Sequence, residues 1–74
     1  MTETVMNLRG LKCPLPALRV RKKLSGLKPG DLVVAECTDP LAMIDIPNLL
    51  RETGDILEEK SEAGDVLVFR IRKK

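Results

Sequence analysis

The sequence contains no histidine, tryptophan or tyrosine, and Phe69 is its single aromatic residue. Without histidine, Cys-His and Ser-His catalysis and histidine-ligated metal sites are excluded. The two cysteines, Cys13 and Cys37, do not form a CxxC pair, so dithiol–disulfide exchange lacks its second thiol and zinc lacks a ligand set. We therefore expect neither a metal nor a cofactor.

Long apolar segments are also absent. The chain has no run of about 18 apolar residues, the length that spans a bilayer, and its N-terminus lacks the pattern of a signal peptide. These absences predict a cytoplasmic protein with no membrane partner and with reduced thiols. The length of 74 residues predicts one domain, spanning residues 1–74, which we expect to be a monomer.

The net charge of +2 hides an uneven distribution of charge along the chain. Residues 1–30 carry seven basic side chains and one acid, whereas residues 31–69 carry ten acids and two basic side chains. Four more basic side chains lie in residues 70–74. The basic first segment is the one that contains Cys13.

Apolar periodicity and turn residues predict the element order βαβαββ. The predicted strands are residues 5–8, 32–37, 56–60 and 66–72, and the last two form a hairpin around residues 61–65. The expected fold class is α+β, an α/β two-layer sandwich in which two helices cover one face of a four-stranded mixed sheet.

The first helix is predicted to begin with Cys13 as its N-cap. Pro14 and Pro16 then occupy the first turn, where the amide that proline lacks has no intrahelical partner. The helix would run to about Ser25, with Gly26 near its end.

The wheel of this helix separates an apolar face from a basic face. Leu15 lies off the apolar arc and close to Cys13, so we expect it to be an exposed apolar contact. The predicted core arc consists of Ala17, Val20, Leu24 and Leu27, and the opposite arc of Arg19, Lys22 and Lys23. The basic arc is interpreted either as a solvated helix face or as a docking patch for an acidic partner surface.

Two aspartates signal the second helix. Asp39 precedes Pro40, which is typical of a helix start, but Pro47 is too far along the chain to belong to that first turn. We therefore predict a short turn from Pro40 and a restart with Asp45 as the new N-cap, ending at Gly54. Both aspartates are interpreted as helix caps and not as a catalytic carboxylate pair. The apolar face is formed by Ile46, Leu49 and Leu50.

The predicted N-cap position gives Cys13 a specific chemistry. The positive end of a helix dipole and nearby amides, such as that of Leu15, lower a thiol pKa below about 8.5, and Lys12 adds positive potential. Transfer of sulfane sulfur needs only one activated thiolate, which accepts the outer sulfur of a donor persulfide and passes it on. This is the thiol chemistry that a cysteine without a histidine base or a resolving partner can perform.

Two motifs resemble those of a known family. Residues 9–16 (Arg-Gly-Leu-Lys-Cys-Pro-Leu-Pro) resemble the GLxCPxP signature of the TusA-like (SirA) sulfur carriers, and residues 39–47 resemble their DPxxxxDIP motif. The resemblance covers nearly the whole chain and implies a βαβαββ sandwich. It also implies that Cys13 carries a persulfide. The residues that the local chemistry predicts to support Cys13 are Lys12, Pro14, Leu15 and Pro16.

The implied partners are a cysteine desulfurase or rhodanese-type sulfur donor and a downstream acceptor protein. The delivered sulfur would serve tRNA thiolation, sulfur oxidation or cofactor assembly. A persulfide relay is favoured over an enzyme that turns over.

Three residues depart from better-known members of the family. Leu15 replaces a glutamate within CPxP, Leu50 replaces a cysteine, and Asp55 follows Gly54 where many members have histidine. These changes concern the partner and the pathway and leave the chemistry of Cys13 in place. Cys37 matches no motif position and is interpreted as a packing residue, with a role as a second thiol the less favoured reading.

Two other functions stay open at this point. The first is a nucleic-acid-binding module that uses the basic first helix and residues 70–74. It is disfavoured because Phe69, which alternates with Leu67 and Ile71, is expected in the core and leaves no stacking platform for bases. The second is a regulatory interaction domain in which Cys13 is only structural.

Overall fold

Four strands and two helices follow one another in the order βαβαββ. The computed structural model describes residues 3–74. Its elements are β1 (Glu3–Leu8), α1 (Leu15–Ser25), β2 (Leu32–Cys37), α2 (Ala42–Thr53), β3 (Ile56–Ala63) and β4 (Val66–Arg72). The predicted fold class and element order are confirmed.

The strands form one mixed sheet in the spatial order β1-β2-β4-β3. β1 pairs with β2 in parallel, and β4 is antiparallel to both β2 and β3. Because β1 and β2 are parallel neighbours connected by a helix, their carboxyl ends meet at the same edge of the sheet. The last pair of that ladder joins Leu8 to Cys37.

A single apolar core lies between the sheet and the helices. Residues of β4 alternate between buried and partly exposed, as in a strand with one face against a core. The cluster includes Phe69, Ile71 and Leu67 together with Val20, Leu24, Ile46, Leu49 and Leu50. Cys37 is fully buried among them. The packing role predicted for Phe69 and for Cys37 is therefore confirmed.

Two strands are longer than the sequence pattern predicts. β1 begins at Glu3 because residues 3 and 4 continue the ladder with β2. β3 continues to Ala63, which pairs with Val66 across a two-residue turn at Gly64 and Asp65. The end of β3 has weak β propensity, so cross-strand pairing decides its length.

The predicted N-cap of α1 is wrong by one residue. Pro14 is the N-cap, because its carbonyl accepts the first helical hydrogen bond, from the Leu18 amide at 3.1 Å. Cys13 lies before the cap, in the loop, and its peptide bond to Pro14 is cis. Pro16 is buried in the first turn, as proline at that position allows.

The predicted break in the second helix is also wrong. α2 runs without interruption from Ala42, its N-cap is Leu41, and Pro47 lies inside it. Asp45 therefore belongs to the first turn and caps nothing. An internal proline costs roughly 3 kcal/mol of helix stability. The helix continues because Ala42 and Ile46 before the proline and Leu49 after it bury one apolar face in the same core.

None of the helices in residues 3–74 has the length and apolar character needed to cross a membrane.

Asp55 lies at the end of the sheet opposite to Cys37. Its carboxylate is buried, accepts the Lys74 amide at 3.0 Å and lies 3.9 Å from the Lys73 ammonium. Gly30 and Asp31 exchange backbone hydrogen bonds with Lys73, which join the end of β4 to the turn before β2, and the Asp55 carboxylate holds the next residue, Lys74. Asp55, where the sequence departs from the family pattern, thus has a structural contact of its own.

We predict that Asp55→Ala lowers the free energy of unfolding by about 1–3 kcal/mol, because it leaves the Lys74 amide without its buried partner. Asp65→Ala, which removes an exposed carboxylate from the hairpin turn, should change it by less than about 0.5 kcal/mol. Urea denaturation followed by circular dichroism measures both. Equal stabilities of the two variants would show that the Asp55 contact contributes nothing.

Candidate functional site

Two loops meet at the carboxyl ends of β1 and β2. One connects β1 to α1 and contains Cys13, and the other connects β2 to α2 and contains Thr38 and Asp39. The Gly10 amide donates to Thr38 Oγ1 at 2.9 Å, and the Cys13 amide donates to Asp39 Oδ2 at 2.6 Å. These cross-loop hydrogen bonds fix the position of the Cys13 backbone.

Gly10 permits the turn that starts the first loop. Its φ of +83° lies in the left-handed region, and an added Cβ would meet nothing within 4 Å. The requirement for glycine is therefore conformational and not one of space. The turn is closed by a hydrogen bond of 3.2 Å from the Leu11 amide to the Leu8 carbonyl.

The thiol of Cys13 is held by a carboxylate from the second helix. Cys13 Sγ donates a hydrogen bond to Asp45 Oδ2. Asp45 reaches it because it lies in the first turn of α2, next to the loop that contains Asp39. The side chain of Cys13 is partly exposed, whereas that of Cys37 is buried.

These contacts reverse the predicted acidity of the thiol. The hydrogen bond to Asp45, partial burial, and the negative charges of Asp45 and Asp39 together raise the pKa of Cys13 to about 11. The predicted lowering of this pKa is wrong because Cys13 is not the N-cap. The Leu15 amide that was expected to face the sulfur donates instead to the Lys12 carbonyl at 2.8 Å.

Asp39 is the second carboxylate beside Cys13. Besides the Cys13 amide, it accepts the Leu41 amide at 3.0 Å. These two backbone hydrogen bonds, with a smaller contribution from the charge of Lys12, lower the pKa of Asp39 below its ordinary value of 3.8. Within residues 3–74 neither Asp39 nor Asp45 forms a salt bridge. The carboxylate of Asp39 is therefore anionic at neutral pH and keeps its charge beside the sulfur.

An open groove of about 540 Å³ gives access to Cys13. Its lining comes from both loops: Gly10, Leu11, Lys12, Cys13, Thr38, Asp39, Pro40 and Leu41. One exposed apolar side chain, Leu41, lines the groove. Three more are exposed in the first turns of the two helices that follow the loops: Leu15 at 45%, Leu18 and Ile44. The expected exposure of Leu15 is confirmed.

The remaining predicted site residues differ in how they are placed relative to Cys13. Lys12 and Pro14 flank Cys13 and are exposed. Arg19, Lys22 and Lys23 are exposed on α1, as predicted, and no hydrogen bond or salt bridge joins them to Cys13 in the described part of the chain. No group of three or more cysteine, aspartate or glutamate residues among residues 3–74 is arranged to hold a metal ion.

The contacts of Asp39 and Asp45 with Cys13 were not predicted from the sequence. One of them was accessible from the sequence, because a parallel β1–β2 pair places residues after position 8 and after position 37 at one sheet edge. The sequence did not indicate the contact of Asp45, because this contact requires an uninterrupted α2 and Pro47 predicts a break in that helix.

Comparison with known proteins points to one family. The family model described as Sulfurtransferase TusA matches residues 4–73. A Neisseria meningitidis protein provisionally named as a sulfur carrier is 35% identical over 74 residues, which is 100% of both chains. Sulfur carrier protein TusA of Allochromatium vinosum is 35% identical over 68 residues, covering 92% of this chain and 90% of the relative. TusA of Pseudomonas aeruginosa is 33% identical over 72 residues, covering 97% and 91%.

We predict that Asp45→Asn increases the rate of Cys13 alkylation by iodoacetamide at neutral pH by about tenfold, because each pKa unit removed from the thiol raises the thiolate fraction tenfold. The alkylation rate of the wild type should keep rising with pH up to about 11. Peptide mass spectrometry separates Cys13 from Cys37. Glu52→Gln removes a carboxylate two turns further along α2 and is the matched control. An unchanged pH profile in Asp45→Asn would contradict this account of the thiol.

Proposed function

The chain belongs to the TusA sulfurtransferase family and is a sulfur carrier, and on this premise we propose that it carries sulfane sulfur as a persulfide on Cys13. The donor is a cysteine desulfurase or a rhodanese-type protein. The sulfur then passes to an acceptor protein that leads to tRNA thiolation, sulfur oxidation or cofactor assembly. The chain acts as a stoichiometric relay and not as an enzyme that turns over.

The observation that supports Cys13 as the carrier is its position on a groove that another protein can enter. Both thiols have a pKa raised to about 11, so acidity does not separate them. Accessibility does, because Cys13 is partly exposed and Cys37 is 0% exposed. A donor persulfide can reach Cys13 without unfolding of the chain.

The transfer exchanges one sulfur–sulfur bond for another. The Cys13 thiol first loses its proton to solvent, which breaks its hydrogen bond to Asp45. The thiolate then attacks the outer sulfur of the donor persulfide, R–S–SH. The donor bond breaks, R–S⁻ leaves and takes up a proton, and Cys13–S–SH remains, so no external oxidant or reductant is needed.

The surroundings of the groove fit a partner protein. A partner that enters the groove contacts Leu41, and exposed apolar surface continues at Leu15, Leu18 and Ile44 in the first turns of α1 and α2, as is typical of an interaction site. Arg19, Lys22 and Lys23 continue this surface along α1 and would attract an acidic partner. The donor and the acceptor would use the same face in turn.

The structure offers little to a nucleic acid ligand. Phe69 is fully buried and cannot stack on a base. Three of the four basic residues near the end of the sequence lie beside acids: Arg70 lies 3.9 Å from Glu59, Arg72 binds Glu58, and Lys73 lies 3.9 Å from Asp55. We therefore expect no direct binding of RNA or DNA.

We predict that incubation with a cysteine desulfurase and cysteine adds one sulfur to the protein, seen as a gain of about 32 Da in intact mass that dithiothreitol removes. Cys13→Ser should abolish the gain, and Cys37→Ser should retain it. A wild type that gains no sulfur from a desulfurase or a rhodanese, or that gains it equally at Cys37, would show the proposal to be wrong.

We also predict that the triple variant Arg19→Glu, Lys22→Glu, Lys23→Glu is loaded by a protein donor about tenfold more slowly at low salt, because steering charges act on the association rate. Loading by a small persulfide should be unchanged.

The control for this variant carries the same change of charge at three other exposed positions: Lys28, Arg51 and Lys60. Equal slowing in both triple variants would mean that net charge, and not this face of α1, guides the donor.

A further inference from the structure

The Asp45 contact distinguishes the unloaded carrier from the loaded one. In the unloaded form, Cys13 Sγ holds the proton that it donates to Asp45. In a persulfide, Sγ is bonded to the outer sulfur and has no proton. The hydrogen bond to Asp45 is therefore available only while Cys13 is empty.

Charge acts in the same direction. Hydropersulfides are stronger acids than the corresponding thiols, so the outer sulfur of a loaded carrier is largely anionic at neutral pH. Two carboxylates face it: Asp45 from α2 and Asp39, which is held 2.6 Å from the Cys13 amide. The neighbouring cations are Lys12, next to Cys13, and Arg21, which lines the cleft that contains Asp45; both are exposed and therefore heavily screened by solvent. Loading thus replaces the hydrogen bond between Cys13 Sγ and Asp45 with repulsion between an anionic sulfur and the two carboxylates.

We propose that Asp45 is a positioning residue that favours the empty thiol over the persulfide and so biases the carrier toward giving up its sulfur. This inference rests on the proposed function. For the exchange Cys13–SH + R–S–SH ⇌ Cys13–S–SH + R–SH, the Asp45 contact stabilises only the left side. Sulfur moves between two thiols and the proton returns to R–SH, so the equation balances without another reactant.

The outer sulfur of the loaded form has space in which to move beside Cys13. The groove of about 540 Å³ lies on the loop side of Cys13, toward Gly10 and Leu41. Asp45 lies on the other side, in the cleft between the helices that Pro14 and Ala17 also line. An outer sulfur repelled by Asp45 therefore turns toward the groove, where an acceptor thiol can reach it. Asp39 also lines this groove, but both of its carboxylate oxygens accept backbone amides, from Cys13 and Leu41, so it opposes the turn less than Asp45 does.

The carrier and its variants are tested without a partner protein. Reduced protein is equilibrated with glutathione and glutathione persulfide at several ratios near neutral pH, and intact mass gives the ratio of loaded to empty carrier. Asp45→Asn should raise that ratio about tenfold over the wild type, the factor that corresponds to one unit in thiol pKa. Glu52→Gln should leave it unchanged, and Asp45→Glu, which keeps a carboxylate near the thiol, should lie closer to the wild type than Asp45→Asn.

The outcomes separate this inference from the proposed function. If wild type and Asp45→Asn both load at Cys13 with the same ratio, the role of Asp45 is disproved while the carrier function stands. If no variant takes up sulfur at Cys13, the carrier function itself fails. Circular dichroism and thermal unfolding check that each variant is folded. Asp45→Ser, which also lacks the charge, replaces Asp45→Asn if the latter does not fold, and the same rise in ratio is required of it.

Discussion

The parallel pairing of β1 with β2 is the constraint on which the site depends. It brings the ends of two strands that are 29 positions apart, Leu8 and Cys37, to one edge of the sheet. The loops that leave this edge lead into α1 and α2, the helices that cover the core. Hydrogen bonds from Gly10 to Thr38 and from Cys13 to Asp39 join the two loops. The reactive thiol is therefore positioned by long-range structure and not by the helix that follows it.

The parts of the fold that depend on local pattern could be predicted from the sequence. Periodicity identified the buried faces of α1 and β4, and Gly54 ends α2 in the left-handed conformation typical of a helix end. The environment of Cys13 could not be predicted in the same way. Proline next to cysteine indicated a helix start, but which residue becomes the cap, and which carboxylate reaches the sulfur, is decided by packing between α1 and α2. The rule that a helix N-terminus lowers a thiol pKa therefore predicted a shift in the wrong direction for Cys13.

The three residues that depart from the family pattern differ in their burial and in what they contact. Leu50 is buried in the core, where an apolar side chain in place of cysteine serves packing. Asp55 is buried and holds the backbone at Lys74. Leu15 alone is exposed beside Cys13. Of the three, it is the substitution that a docked partner would contact directly.

In the persulfide relay that we propose, burial of Cys37 protects the bound sulfur as well as the core. A persulfide on Cys13 is itself an electrophile, and a thiol that reached its inner sulfur would form a Cys13–Cys37 disulfide and release hydrogen sulfide. Cys37 is the only other thiol in the chain, and in the folded state it is completely shielded. Loss of the fold would therefore expose a loaded carrier to self-quenching. For a protein of this kind, the lifetime of the bound sulfur is tied to the stability of the domain.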